Sequence, residues 1–228
     1  RRSTHGLARE LLGSRLTYPT VVIIDKQGKR FPIAGYIEPE DGLPIASYFA
    51  ENNHQTVKFE DYKAYYKKAL QYNKAGKSTP AVKWQPLADA LGSSQEGKSV
   101  FLLYYTDWNI SSFVLMNAVM QDSALASSLN RHFAPVRINA TTRDTLTFGQ
   151  EYVNNGKAPS YHQLPVAMLQ GQMQFPALLF FNKEKKLLQV VQQFLTPGTL
   201  QPLIEFYGSG AYKETDWPTY RENAGGKK

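Results

Sequence analysis

Two stretches of this 228-residue chain resemble each other, and that similarity constrains the fold more than any other feature. THGLARELLGSRLTYPTVVIIDKQGKRF aligns with YHQLPVAMLQGQMQFPALLFFNKEKKLL, and the match extends beyond both. His5 falls on His162, Leu7 on Leu164, Leu12 on Leu169 and Pro19 on Pro176. One residue is gained, after which Pro39 falls on Pro197, Pro44 on Pro202 and Tyr62 on Tyr220. A chain that repeats itself at a fixed offset builds one supersecondary unit twice. Each copy reads as a short amphipathic helix, an aromatic-Pro pair and a strand over 20–24 or 177–181. A polar turn, a second strand (30–37; 187–195) and a helix (40–50; 199–207) complete it. Pro39 and Pro197 suit the entrance of those helices, where the missing N–H is no loss.

The second copy has a long upstream partner. Residues 84–98 read as a short helix and turn, and 99–105 as a strand whose continuous apolar run marks it as buried. Residues 113–130 read as a helix with its extension, and 133–139 as another strand. A helix between two strands implies a parallel crossover. From about position 80 onward the order is therefore β-α-β-α-β-β-α. The first copy lacks the front of this arrangement. Alone, its hairpin and helices are marginal and leave a strand edge unpaired. Residues 1–66 are expected to follow a missing β-α-β part, or to complete themselves against residues 80–228 or a second chain. Between the copies, Phe59, Tyr62, Tyr66, Ala69 and Leu70 mark one face of a helix, which ends in a polar linker over 74–80.

The chain contains no Cys, which removes thiol nucleophiles, disulfides and Cys-ligated metals from its chemistry. A hydrophobic fraction of 42% and 13% aromatics can supply an ordered core. The net charge of +7 permits attraction to anions without demonstrating a partner. No apolar run reaches the ~18 residues of a membrane span. No apolar stretch of a signal peptide follows Arg1-Arg2-Ser3, so either a signal was removed upstream or the chain is a fragment. His5, His54, His132 and His162 are scattered, with no i, i+4 pair, and give no metal site. Ser111-Ser112 lacks the Gly-x-Ser-x-Gly elbow of a hydrolase, and no Gly-rich phosphate loop occurs. Tyr65, Tyr66 and Tyr72 interleave with the lysines of 63–77, a pattern that single-stranded nucleic acid can use. A solvated helix whose tyrosines pack inward explains the same pattern and is preferred.

Lys83-Trp84, then Tyr105-Thr106-Asp107-Trp108, then Asn130-x-x-Phe133-x-Pro135-Val136 form an ordered set. His162-Gln163-Leu164, Phe175-Pro176 and Trp217-x-x-Tyr220 continue it. Together with the element order, these residues make the chain resemble the thioredoxin-like superfamily, and more narrowly its exported thioredoxin-related proteins. The resemblance implies an α/β thioredoxin-like fold, a three-layer α/β/α sandwich on a mixed sheet, preceded by the C-terminal half of a second such domain. It divides the chain into 1–66 (half domain), 67–82 (helix end and linker) and 83–228 (complete domain).

In relatives of this kind the strand-to-helix turn carries Trp-Cys-x-x-Cys. The resemblance places those cysteines at Asn109 and Ser112, and the assisting buried carboxylate at Leu103. None of the three residues can do that chemistry. Asn109 is a good N-cap for the helix beginning after it. Asn109-Ile110-Ser111 and Asn139-Ala140-Thr141 are also glycosylation sequons, meaningful only where the source glycosylates. The matching proline of such proteins is cis and borders a groove for extended peptide. That reading nominates Trp108, Asn109, Ile110, Phe175 and Pro176 for binding, with Tyr18 and Pro19 as their counterparts in the first copy.

The expectation is a redox-inactive thioredoxin-fold module that binds protein or extended peptide, or serves as a scaffold. It uses no cofactor, metal or nucleic acid, with homo-oligomerisation possible. The alternative is a member of the thiol–disulfide oxidoreductases whose reactive cysteines lie in a missing upstream half-domain. The resemblance implies a periplasmic or otherwise exported location.

Overall fold

The computed structural model describes residues 5–13, 17–25, 27–76, 81–93, 97–156 and 160–225. The first four residues and positions 77–80 of the expected linker lie outside the described residues.

β3 (Ser99–Tyr105) organises the C-terminal unit. Its sequence SVFLLYY is apolar on both faces, and every residue but Tyr105 is buried. A strand of that kind needs cover on both sides and neighbours on both edges. β4 (Phe133–Asn139) pairs with it in parallel, Leu102 opposite Val136. β7 (Ala177–Phe181) pairs antiparallel on the other edge, Leu102 opposite Leu179. β8 (Leu187–Val191) closes the sheet as an antiparallel neighbour of β7, giving the order β4-β3-β7-β8.

Side chains alternate across β3 and β7 and feed two cores. Phe101, Leu103, Leu178 and Phe180 face one layer with Val114, Leu115, Leu125, Leu129 and Ile204. Leu102, Tyr104, Leu179 and Phe181 face the other with Leu87, Ala90 and Leu164. The helices of the first layer are α5 (Ile110–Asn117), α6 (Ser123–His132) and α8 (Pro197–Ser209). α4 (Leu87–Ser93) and α7 (Gln163–Met168) belong to the second. Helix, mixed sheet and helix in this strand order constitute a thioredoxin-like fold.

Several expectations need correction. The helix expected over 113–130 is broken into α5, a 3₁₀ turn at Val119–Gln121, and α6. Ala118 leaves helical geometry (φ −128°), and Asp122 caps α6 by accepting from Leu125 N–H at 2.9 Å. A good N-cap inside an apolar run gives the backbone a second start. β2 (Arg30–Ala34) stops short of 37, because Gly35 takes φ +99°. β8 ends at Val191 rather than 195. Sequence reading also missed the hairpin β5 (Leu146–Phe148) and β6 (Gln150–Tyr152), and a last helix, α9 (Trp217–Gly225).

The N-terminal unit has α1 (Gly6–Leu12), β1 (Thr20–Ile24), β2, α2 (Pro39–Ala50) and α3 (Phe59–Ala75). It follows the element order of α7, β7, β8, α8 and α9. His5 and His162 both cap by accepting from the N–H two residues on, at 3.2 and 3.1 Å. Tyr48 contacts Phe59 and Tyr62 at 5.3 and 5.6 Å, as Phe206 contacts Trp217 and Tyr220 at 5.4 and 4.9 Å. Asn52 and Gly210, at matching positions, are both left-handed. β1 and β2 form a separate two-stranded sheet. α3, by contrast, runs unbroken across position 66 and buries Tyr62, Tyr66 and Ala69 in the core shared with α5 and Phe194.

Candidate functional site

β3 ends at Tyr105 and leads into the turn Thr106-Asp107-Trp108, and α5 begins at Ile110. The turn is pinned to β4, where Asn139 Nδ2 donates to Asp107 Oδ2 at 2.8 Å. Asn109, extended at φ −84° and ψ 115°, caps the helix: its Oδ1 accepts from Ser112 N–H at 2.7 Å.

A helix start also exposes its earlier N–H groups, where the macrodipole favours an anion. Here a carboxylate from the N-terminal unit supplies it. Glu51 Oε1 accepts from Ile110 N–H at 2.9 Å, and Glu51 Oε2 from Ser111 N–H at 2.8 Å. Asn53 Nδ2 donates to Ser111 Oγ at 2.6 Å. Tyr62 OH lies 3.4 Å from Ser111 Oγ and 3.0 Å from Ser47 Oγ. Ser47, Asn53, Tyr62 and Ser111 are all buried. Burial pushes the Tyr62 phenol up to about 12, so it stays a hydrogen-bond donor at neutral pH. Burial also raises the Glu51 carboxyl, opposed by its hydrogen bonds to Ser111 and Ile110.

The hydroxyl groups of this arrangement are closed to solvent. Ser111 is fully buried beneath Glu51 and Asn53. Ser112 and Thr106 are buried too, and neither hydroxyl hydrogen-bonds to any described residue. Leu103 packs in the apolar core and puts no carboxylate below the turn. No cluster of three or more metal-ligating side chains occurs among the described residues. No described helix is long and apolar enough to cross a membrane.

The other side of the turn presents an exposed ring beside a buried one, Phe175 being only 4% exposed. Trp108 is 61% exposed and stands edge-on to Phe175, with ring centroids 6.3 Å apart. Phe175 in turn contacts Tyr161 at 5.8 Å. Tyr161 lines a cavity of about 520 Å³ with Tyr152, Val166 and Met173. Pro176 is buried, and the Phe175–Pro176 bond is cis. Phe175 stands outside the β3–β7 ladder, and its backbone makes no turn or loop hydrogen bond among the described residues.

Of the nominated residues, the fold therefore gathers Trp108, Asn109, Ile110, Phe175 and Pro176. Tyr18–Pro19 is also cis, but both residues are exposed at the entrance to β1. They make no ring contact or side-chain hydrogen bond with that group. Glu51, Asn53 and Ser47 escaped sequence reading altogether. Only Tyr62 carried a signal, as an apolar-face position of α3.

No protein-family model matches the chain, and no curated protein matches it. Among solved structures it is similar to a thioredoxin-fold protein from Helicobacter pylori. That likeness has 13% identity over 71% of this chain and 92% of the other, with a TM-score of 0.44. It is similar to the oxidoreductase DsbH at 19% identity, over 60% and 87% of the two chains (TM-score 0.38). It is similar to the oxidised C-terminal domain of DsbD from Neisseria meningitidis at 16% identity, over 54% and 90% (TM-score 0.36).

Proposed function

We propose that this chain is a redox-inactive thioredoxin-fold module that binds an extended peptide or protein segment at Trp108 and Phe175. One observation carries the reading. The backbone of Phe175, outside the sheet ladder, lies beside a largely exposed tryptophan. An extended peptide can pair with such a backbone while its side chains rest on the neighbouring rings. The helix end, where a thiolate would sit in an active relative, is closed by Asn109 and Glu51. The location proposed with this function is periplasmic or otherwise exported.

Selection from a displayed library of extended peptides tests the proposal. Bound peptides should lose about tenfold or more in affinity to Trp108→Ala and to Phe175→Ala. Equal affinity for both variants and the parent would overturn it. In an insulin-reduction assay with dithiothreitol the chain should give no acceleration.

A second reading concerns residues 1–66 as the C-terminal half of another domain. An open cavity of about 460 Å³ lies between β1 and α2, lined by Val21, Ile23, Ile37, Ile45 and Phe49. In the C-terminal unit the positions matching Val21 and Ile23 are Leu178 and Phe180, which pair with Leu103 and Phe101 of β3 and are buried against the helices of the first layer. This favours a missing front half over β1, where reactive cysteines of an oxidoreductase could lie. Mass spectrometry of the gene product decides: a product beginning at Arg1 refutes it.

A further inference from the structure

A different cavity, of about 470 Å³, opens where β8, α8 and α9 meet the corner before α3. Its size falls within the range of about 300–1,000 Å³ typical of small-molecule sites. Val191, Leu195 and Leu203 give it an aliphatic wall, and Trp217 and Arg221 stand on α9 beside it. Thr56 enters from the N-terminal unit, so the cavity needs both units to be docked.

The charge at this cavity is one-sided. Arg221 forms no ion pair with any described residue. The Glu205 carboxylate borders the adjoining cavity and not this one, and is engaged with Ser128 at 2.6 Å and His132 at 3.1 Å. A guanidinium free to bind, set against an aliphatic wall, matches an anion with an apolar body. A planar carboxylate can take two parallel hydrogen bonds from that fork.

We propose that this cavity binds a small amphiphilic carboxylate, its head on Arg221 and its body against Val191, Leu195 and Leu203. The site is separate from the Trp108–Phe175 groove and does not depend on the reading of that groove.

Calorimetric titration of the full chain with sodium octanoate tests this, with 1-octanol as the uncharged control. Octanoate should bind and should shift the amide resonances of 189–203 and 217–221. Arg221→Gln should weaken it by about tenfold or more, and Arg221→Lys by less. Arg221 is exposed, so both variants should keep the parent's circular dichroism. No binding at millimolar octanoate would overturn the proposal. So would equal affinity of parent and Arg221→Gln, equal affinity for 1-octanol, or shifts confined to other residues.

Discussion

Glu51 and Ser111 lie 60 positions apart, yet the Glu51 carboxylate accepts from the Ser111 amide at 2.8 Å and from its neighbour Ile110 at 2.9 Å. The N-terminal unit thereby completes the cap of the helix that leaves the central strand. A carboxylate holding two helix-terminal N–H groups is a charge-assisted contact. Glu51→Ala should cost about 2 kcal/mol in urea denaturation. Amide exchange at Ile110 and Ser111 should accelerate in the same variant. An unchanged midpoint would show the contact to be incidental.

The half-buried Glu51 and the buried His162 should give opposite pH slopes. Burial raises the Glu51 carboxyl above its ordinary 4.5. An acid raised in the folded state adds stability that is full below 4.5 and is lost as pH climbs through its folded value. Burial lowers His162 below its ordinary 6.5, against weaker opposition from the Asp144 and Tyr152 backbones. Its Nδ1 accepts from Leu164 N–H, so the ring is neutral, and its contribution is full above 6.5 and lost as pH falls through its folded value. Stability measured from about pH 7 down to about pH 4 should separate them. Glu51→Gln removes the gain on acidification, and His162→Asn removes the loss.

The buried Ser112 hydroxyl has no partner among the described residues. A thiol of similar shape loses less on leaving water. Ser112→Cys should therefore stabilise the fold by about 1 kcal/mol. A loss of stability would mean that the hydroxyl is satisfied in solution, for instance by water.

Gly208 sits where α8 crosses α6. A Cβ there would come within 2.5 Å of His132 Cβ and 2.9 Å of the Phe133 ring. Alanine gains about 1 kcal/mol of helix propensity over glycine. Overpacking against rigid neighbours costs about 1–3 kcal/mol. The clash should win, and Gly208→Ala should lower the thermal midpoint. A rise would show that α8 can move away without loss.

Tyr62 joins both units: its hydroxyl faces Ser47 and Ser111, and its ring meets Phe194 at 5.3 Å. Tyr62→Phe keeps the ring and should cost about 1 kcal/mol. In a double-mutant cycle with Glu51→Ala the losses should be non-additive, since both touch Ser111. Strict additivity would separate the two contacts.

Much of this architecture was legible in the chain. The apolar run at Val100–Leu103 is long enough and uninterrupted enough to specify a buried strand, and β3 has the bounds that the sequence suggests. Asn109 announced its cap, because N-capping is a local event within three residues. Less was legible where local signals compete. Ala118 ended one helix and Asp122 began another within a stretch that reads as one helix. The β5–β6 hairpin uses three-residue strands, too short for a periodic signal.

The sequence by itself determined the doubled element order, the buried central strand, the turn at Trp108-Asn109 and the absence of thiol chemistry from it. These result from residue type and spacing along the chain. Only the tertiary structure decided that β1 and β2 stand apart as their own sheet and that α3 joins the other unit's core. It also decided that Glu51 and Asn53 close the helix end while Trp108 stays exposed on the opposite side, beside a buried Phe175. The reason is physical. A buried helix terminus needs partners for its N–H groups, and any well-placed oxygen can meet that need. Which oxygen does so depends on where packing brings a distant segment, and no pattern in the segment itself records that.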